Sequence, residues 1–170
     1  RGMLQDSQKI FHTDCYQSLM VRDEDVNRMV NMVLRVGRYA LRKPHLVQSA
    51  GVTPFDFFRY LQVADLLERI ADEAKRISRY LRKSEMDDNL KQSIISLYSD
   101  ICMQYRNVME AFYANDSQKA LEYASNDQAL REKCDALAID KEKCEYACVI
   151  AEKLKTINYC IHSIGREVYQ

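Results

Sequence analysis

Leu66-Leu67-Glu68-Arg69-Ile70-Ala71-Asp72-Glu73-Ala74 is the stretch from which the fold of this chain can be read. It lies within a run from Phe55 to Leu81 in which Tyr60, Val63, Leu67, Ile70, Ala74, Ile77 and Leu81 recur at helical spacing. At 100° per residue these positions cover about a third of a helix circumference. Asp65, Glu68 and Asp72 stand at i, i+3 and i+7, on a second face about 180° away by the 3.6-residue period. The pattern predicts one helix with the core on one side and three carboxylates on the other. Like charges at that spacing repel by roughly a few tenths of a kcal/mol per pair. Either Arg69, Lys75, Arg76 and surrounding water offset the repulsion, or a bound cation does, because hard metals take oxygen ligands from grouped carboxylates.

Upstream, an amphipathic pattern runs from Leu4 to Lys43 through Phe11, Cys15, Leu19, Val26, Met29, Val30, Val33, Gly37, Ala40 and Leu41. A break near Asp6 or Asp14 is compatible with it. Asp23, Asn27 and Asn31 form an i, i+4 ladder along its edge. Pro44 stops it, because the residue before a proline disfavours the helical region. His45 to Thr53 is expected as a loop. Thr53-Pro54 then reads as an N-cap followed by proline at the first helical position, with Asp56 suiting the helix dipole.

Downstream, the helix from Pro54 ends near Lys83, and Ser84 with Glu85-Met86-Asp87-Asp88 makes a turn. A third pattern runs from Leu90 through Ile94, Leu97, Ile101, Tyr105, Val108, Met109 and Phe112. Ala114-Asn115-Asp116-Ser117 reads as a kink or short break with a fresh N-cap, after which a helix continues from Gln118 to Ala138. Asp140-Lys141-Glu142-Lys143 turns the chain into a last helix, Cys144 to Val168. That helix echoes the motif helix. Ala64-Asp65-x-Leu67-x-x-Ile70 matches Ala151-Glu152-x-Leu154-x-x-Ile157, and Ile77-x-Arg79 matches Ile164-x-Arg166.

The composition narrows the class. The chain of 170 residues can form one domain or two small repeats, with 47% hydrophobic and 29% charged residues and only four glycines and two prolines. That scarcity of chain breakers says all-α. With 25 basic and 25 acidic residues there is no basic surplus for nucleic-acid phosphates. No run reaches the ~18 apolar residues of a membrane span and no signal peptide is visible, so a soluble, cytoplasmic chain is expected. The opening Arg1-Gly2-Met3 lacks a cap and reads as part of a longer protein or as an added scar.

Six cysteines, at 15, 102, 134, 144, 148 and 160, contain no CxxC and read as buried, reduced, small hydrophobes. Cys144 and Cys148 at i, i+4 could share a zinc, but closed zinc sites take four ligands and no histidine lies with them. His12, His45 and His162 are far apart, and no phosphate loop, nucleophile elbow or His-Glu-x-x-His occurs. The absence of any Glu-x-x-His argues against a ferritin-like di-iron centre. No enzyme chemistry is indicated. The eleven tyrosines and seven methionines fall mostly at helical spacing, as packing residues.

Leu67-Glu68-Arg69-Ile70-Ala71-Asp72-Glu73-Ala74 resembles the signature of the PhoU family of phosphate-transport regulators, with Glu68 and Asp72 in its Glu/Asp-x-x-x-Asp motif. Arg22-Asp23-Glu24-Asp25-Val26-Asn27-Arg28 resembles that family's Arg-Asp-x-x-Val-Asn/Asp-Arg element, in the family's order. Together they cover about the first half of the chain. The resemblance implies an antiparallel bundle of about four long helices built from two repeats, here residues 1–83 and a degenerate copy, 84–170. It implies a regulator of phosphate uptake that acts by binding a phosphate ABC transporter's ATPase or a sensor kinase, as a homodimer. In some archaeal relatives a DNA-binding segment precedes the bundle.

The resemblance also implies surface iron, zinc, magnesium or manganese, for which Glu68, Asp72, Asp65 and Asp23 are the candidate ligands here. The chain departs from the family where Lys155 and Tyr159 stand at the second-repeat equivalents of Glu68 and Asp72, and where Asn27 replaces a frequent aspartate. A protonated lysine cannot ligate a metal and a phenol suits hard cations poorly. Two other readings remain: an accessory domain of an ion channel or ion transporter, and a metal-storing or redox bundle.

Overall fold

Cap chemistry decides where the helices of this chain start and stop. The computed structural model describes residues 16–49, 51–83, 86–124, 127–139 and 146–169. They form helices α1 Tyr16–Arg42, α2 Pro44–Ser49, α3 Pro54–Lys83, α4 Asp88–Ala114, α5 Ser117–Ala124, α6 Asp127–Ile139 and α7 Ala147–Tyr169. The protein is an all-α bundle of four long helices and three short ones, without a strand among the described residues.

At the start of α3, Thr53 Oγ1 accepts the Asp56 backbone N–H at 3.0 Å and donates to Asp56 Oδ2 at 2.6 Å. The same carboxylate accepts the Thr53 N–H at 3.4 Å. This is a reciprocal capping box rather than the simple dipole contact that Asp56 suggested. The hydrogen bond from the Thr53 hydroxyl holds the Asp56 carboxyl below the usual aspartate range. One expectation fails just upstream. The stretch 45–53, expected as a loop, begins with α2, because Pro44 occupies a first helical position, where its fixed φ and missing N–H do no harm.

Of the two readings of Ala114–Ser117, the short break with a fresh N-cap is the one present, and the break reverses the chain rather than kinking one helix. Asn115 adopts the left-handed conformation at φ 52°, its N–H donates to Phe112 O, and the Asp116 N–H donates to Ala111 O. That double closure satisfies the orphaned last carbonyls of α4. Asp116 Oδ1 then accepts the Lys119 N–H to start α5. Helix α6 runs back along α4, with Lys133 Nζ 2.6 Å from Asp100.

The last helix is the hub. α7 packs on α3, α4, α5 and α6, while α3 packs on α1 and α7. Ile150, Leu154, Ile157, Ile161 and Ile164 of α7 are wholly buried, each such side chain contributing about 1.5–3 kcal/mol by removal from water. Val63, Ile70, Ala74 and Ile77 of α3 join them, as the periodicity predicts; Leu67 and Leu81 are partly buried. Tyr60 is half exposed and meets Phe112 edge to face at 6.1 Å. The buried Asn158 amide donates to Asp127 Oδ1 at 2.7 Å, fixing the start of α6 on α7.

Pairings along the helices give their directions. Lys75 meets Asp23, and Phe57 and Leu61 meet Gly37, so α1 and α3 are antiparallel. Glu73 meets Lys153 and Tyr80 meets Tyr146, so α3 and α7 are antiparallel too. At Gly37 a side chain would bring its Cβ within 3.0 Å of Leu61 Cδ2 and 3.2 Å of Phe57 Cζ. The bare glycine sets how closely α1 approaches α3 at that end. Among the described residues no helix is long and apolar enough to cross a membrane.

Candidate functional site

The inner face of α1 carries Leu19, Asp23, Val30, Gly37 and Ala40. The aspartate therefore falls within an apolar stripe and is carried into the seam with α3, where it is 4% exposed. A carboxylate desolvated to that degree needs a charged or hydrogen-bonding partner. Lys75 of α3 supplies it: its Nζ lies 2.6 Å from Asp23 Oδ2 and 3.0 Å from Asp72 Oδ1. Arg76 adds a looser contact to Asp72 Oδ2 at 3.7 Å. Desolvation alone would lower the Lys75 pKa, but the hydrogen bonds to Asp23 and Asp72 outweigh it and raise the pKa.

Of the four candidate metal ligands, the structure thus brings together Asp23 and Asp72, around an ammonium. Asp65 is exposed and Glu68 is partly buried, and neither joins that cluster. Asp23 Oδ1 and Asn27 Oδ1, one turn apart on α1, are buried without a hydrogen-bond partner among the described residues. They could accept from a cation, but Lys75 already provides a positive charge beside them. Among the described residues no three His, Cys, Asp or Glu side chains come together in a way that could hold a metal ion. As placed, the donor set does not fit a resident carboxylate-held metal.

A second buried charge escapes the sequence pattern. Glu73, 7% exposed, faces α7. Arg76 donates to its Oε1 at 2.6 Å, and Lys153 of α7 lies 3.2 Å from Oε2 as an ion pair without hydrogen-bond geometry. Its only signal in the sequence is a lone acid one position round the helix from Asp72. The partner that makes it buriable sits eighty residues away. α3 therefore carries a polar contact on each seam, Asp72–Lys75 toward α1 and Glu73 toward α7.

The second-repeat positions form a different centre. Lys155 Nζ lies 2.5 Å from Asp135 and 2.8 Å from Glu152, and these contacts raise its pKa. With Tyr159, Arg69 and Arg131 it lines a cleft of about 410 Å³ between α3, α6 and α7. Arg131 in turn is held by Asp127 at 2.7 Å. The cleft is thus lined by cations whose charge neighbouring acids largely balance.

An apolar cleft of about 310 Å³ opens between α1, α3 and α4, lined by Val26, Val30, Leu67, Ala71, Tyr105 and Met109, with Met29 and Tyr113 also on its wall. Among the described cysteines Cys134 and Cys160 are buried and Cys102 and Cys148 are partly buried. Desolvation pushes Cys102 up to about 12 and Cys134 up to about 11, and raises Cys160 as well. Cys15 and Cys144, and with Cys144 the Cys144–Cys148 spacing weighed for zinc, lie outside the described residues, as do His12 and the pattern before Tyr16. His45 on α2 and His162 on α7 occupy separate parts of the bundle.

The chain matches no protein-family model, no curated protein and no solved structure. The described residues offer ionic contacts at the seams, a charge-balanced cleft and an apolar cleft.

Proposed function

We propose that the chain is a PhoU-like regulator of phosphate uptake or phosphate signalling, acting by protein–protein contact rather than catalysis and working as a homodimer. Its partner in this reading is the ATPase of a phosphate ABC transporter or a sensor kinase, met in the cytoplasm. One observation carries it. The two sequence elements that bear the resemblance, 22–28 and 67–74, lie on different helices and meet: Asp23 of the first and Asp72 of the second share the Lys75 ammonium. The two helices that echo each other in sequence, α3 and α7, are also direct neighbours, as expected of two related repeats packed on one another.

A metal-linked form of the reading would need iron, zinc, magnesium or manganese to displace Lys75 from Asp23 and Asp72. Elemental analysis of the purified protein decides that form, with Glu68→Ala/Asp72→Ala as the control for any stoichiometric metal found. The regulator reading itself is tested by affinity capture from extract of the source cells grown with and without phosphate. Enrichment of a phosphate-transporter ATPase or its sensor kinase is the expected result. Capture of a channel or another ion transporter instead would move the chain to the accessory-domain reading.

A further inference from the structure

One end of the bundle carries charge of a single sign together with large exposed apolar side chains. From Val26 to Phe55 the chain has no acidic residue, but it has Arg28, Arg35, Arg38, Arg42 and Lys43, in a protein whose formal net charge is zero. Arg28 is held loosely by Glu24 and Asp25 at 3.5 Å each. Arg35, Arg38 and Arg42 are exposed and make no ion pair or hydrogen bond among the described residues. At 100° per residue these three fall within about 60° of one another, on the side of α1 turned away from α3.

The register of α1 on α3 brings the apolar side chains to the same end. Asp23 lies against Lys75, and Gly37 against Phe57 and Leu61, so Leu41 and Arg42 are level with the first turn of α3. Leu41 is 73% exposed, Phe55 63% and Phe58 58%, the two phenylalanines one turn apart on α3. Arg59 reaches Asn115, and Ser117 reaches Val168 O. The α4–α5 reversal and the end of α7 therefore share this level, yet they leave Leu41, Phe55 and Phe58 uncovered. The acids here are engaged or partly buried: Asp56 by Thr53 and Arg59, Asp116 by Lys119 at 3.7 Å, and Glu167 on α7. The next acid along α3, Asp65, is about 10 Å up the axis from Phe58.

We propose that this end of the bundle docks on an anionic lipid bilayer. Leu41, Phe55 and Phe58 enter the boundary between headgroups and acyl chains, and Arg38, Arg42 and Lys43 sit among the lipid phosphates. Arg35 adds to the attraction from within a Debye length, about 10 Å. Interfacial binding of this kind sums apolar burial with attraction to anionic headgroups. Cations alone would serve any polyanion. Nucleic acid offers phosphates but no apolar phase for Leu41, Phe55 and Phe58, so the mixture selects lipid. The contact is superficial, since among the described residues no helix is long and apolar enough to cross a membrane.

Flotation of the full chain with vesicles of phosphatidylcholine alone, or mixed with phosphatidylglycerol, tests the proposal over a lipid titration. Circular dichroism confirms that each variant is folded. The chain should float with the mixed vesicles, far less with the neutral ones, and less as salt rises. Arg38→Gln/Arg42→Gln should weaken binding by about thirtyfold, at roughly fivefold per cation near the surface. Phe55→Ser/Phe58→Ser should weaken it by about tenfold or more. Arg79→Gln/Lys83→Gln, which removes two exposed cations at the far end of α3, should leave it unchanged. No binding to the mixed vesicles, equal binding to both kinds, or a loss in the far-end variant matching that of Arg38→Gln/Arg42→Gln overturns the proposal. So does a Phe55→Ser/Phe58→Ser variant that binds like wild type, since the contact would then be purely ionic. The proposal goes beyond the regulator reading and does not rest on it. The vesicles contain no protein, so failed flotation leaves capture of an ATPase or kinase untouched, and failed capture leaves flotation untouched.

Discussion

Replacing Lys75 by methionine keeps the stem that packs in the α1–α3 seam and removes the charge that Asp23 depends on. Asp23 then retains a carboxylate whose side chain is 6% exposed, with Oδ1 already unpartnered and Oδ2 newly so. Removing one member of a buried pair costs about 3–5 kcal/mol. The 17% exposure of Lys75 and the 38% exposure of Asp72 admit solvent to that end of the cluster, which brings the expected loss down to about 2–3 kcal/mol. For a chain of this length that is a fall in Tm of about 4–12 °C. The assay is urea and thermal unfolding followed by circular dichroism, in a double-mutant cycle with Asp23→Asn. The double variant should recover part of the loss, giving a coupling of about 1–2 kcal/mol. A Lys75→Met protein within about 0.5 kcal/mol of wild type, or a coupling near zero, would show that Asp23 is not held by Lys75 and that the seam has been misread.

Two further outcomes follow from the caps and the thiols. Asp56 is held below its ordinary pKa first by the Thr53 hydroxyl, so its contribution is present above the unfolded value of about 3.9 and is lost as pH falls through the lower folded value. Thr53→Ala should lower Tm by about 2–4 °C at neutral pH and shrink the acid-dependent part of that stability; an unchanged acid limb refutes the capping box. Cys102 and Cys134, with thiols pushed up to about 12 and about 11 by desolvation, should alkylate slowly in the native protein near pH 8 and fully in denaturant. Site-resolved mass spectrometry after iodoacetamide reads this directly, and rapid native labelling at either would place it outside the core.

How far the sequence could be read depends on whether a residue's partner was local. The long helices were legible because their apolar spacing is repeated over many turns and Pro44, Thr53-Pro54 and Asn115 mark their ends. The capping box was half visible, since Thr53 and Asp56 are three residues apart. The reversal at Asn115 was harder: a kink and a Schellman closure use the same residues, and only the docking of α6 on α4 distinguishes them. Periodicity sets Asp65, Glu68 and Asp72 on one row of α3 but cannot say which acid turns toward α1; Asp72 does, while Asp65 is exposed. By spacing alone Lys75 is one neutralising charge among several. It is the group around which Asp23 and Asp72 converge, because Asp23 sits in the inner stripe of a helix fifty-two residues earlier. Glu73 has no local signal for the same reason, its Lys153 being on α7.

The place of α7 in the bundle has a consequence for how the protein is made. Among the described elements α7 is the last to leave the ribosome, and it is the one on which α3, α4, α5 and α6 all converge. Until residues 147–169 emerge, Val63, Ile70, Ile94, Ile101 and Val108 have no common surface to close against. The nascent chain therefore carries greasy, helix-prone segments that await their keystone, and such exposed apolar surface favours aggregation until the last helix docks. Truncation anywhere before Ala147 removes the element that turns those segments into one core.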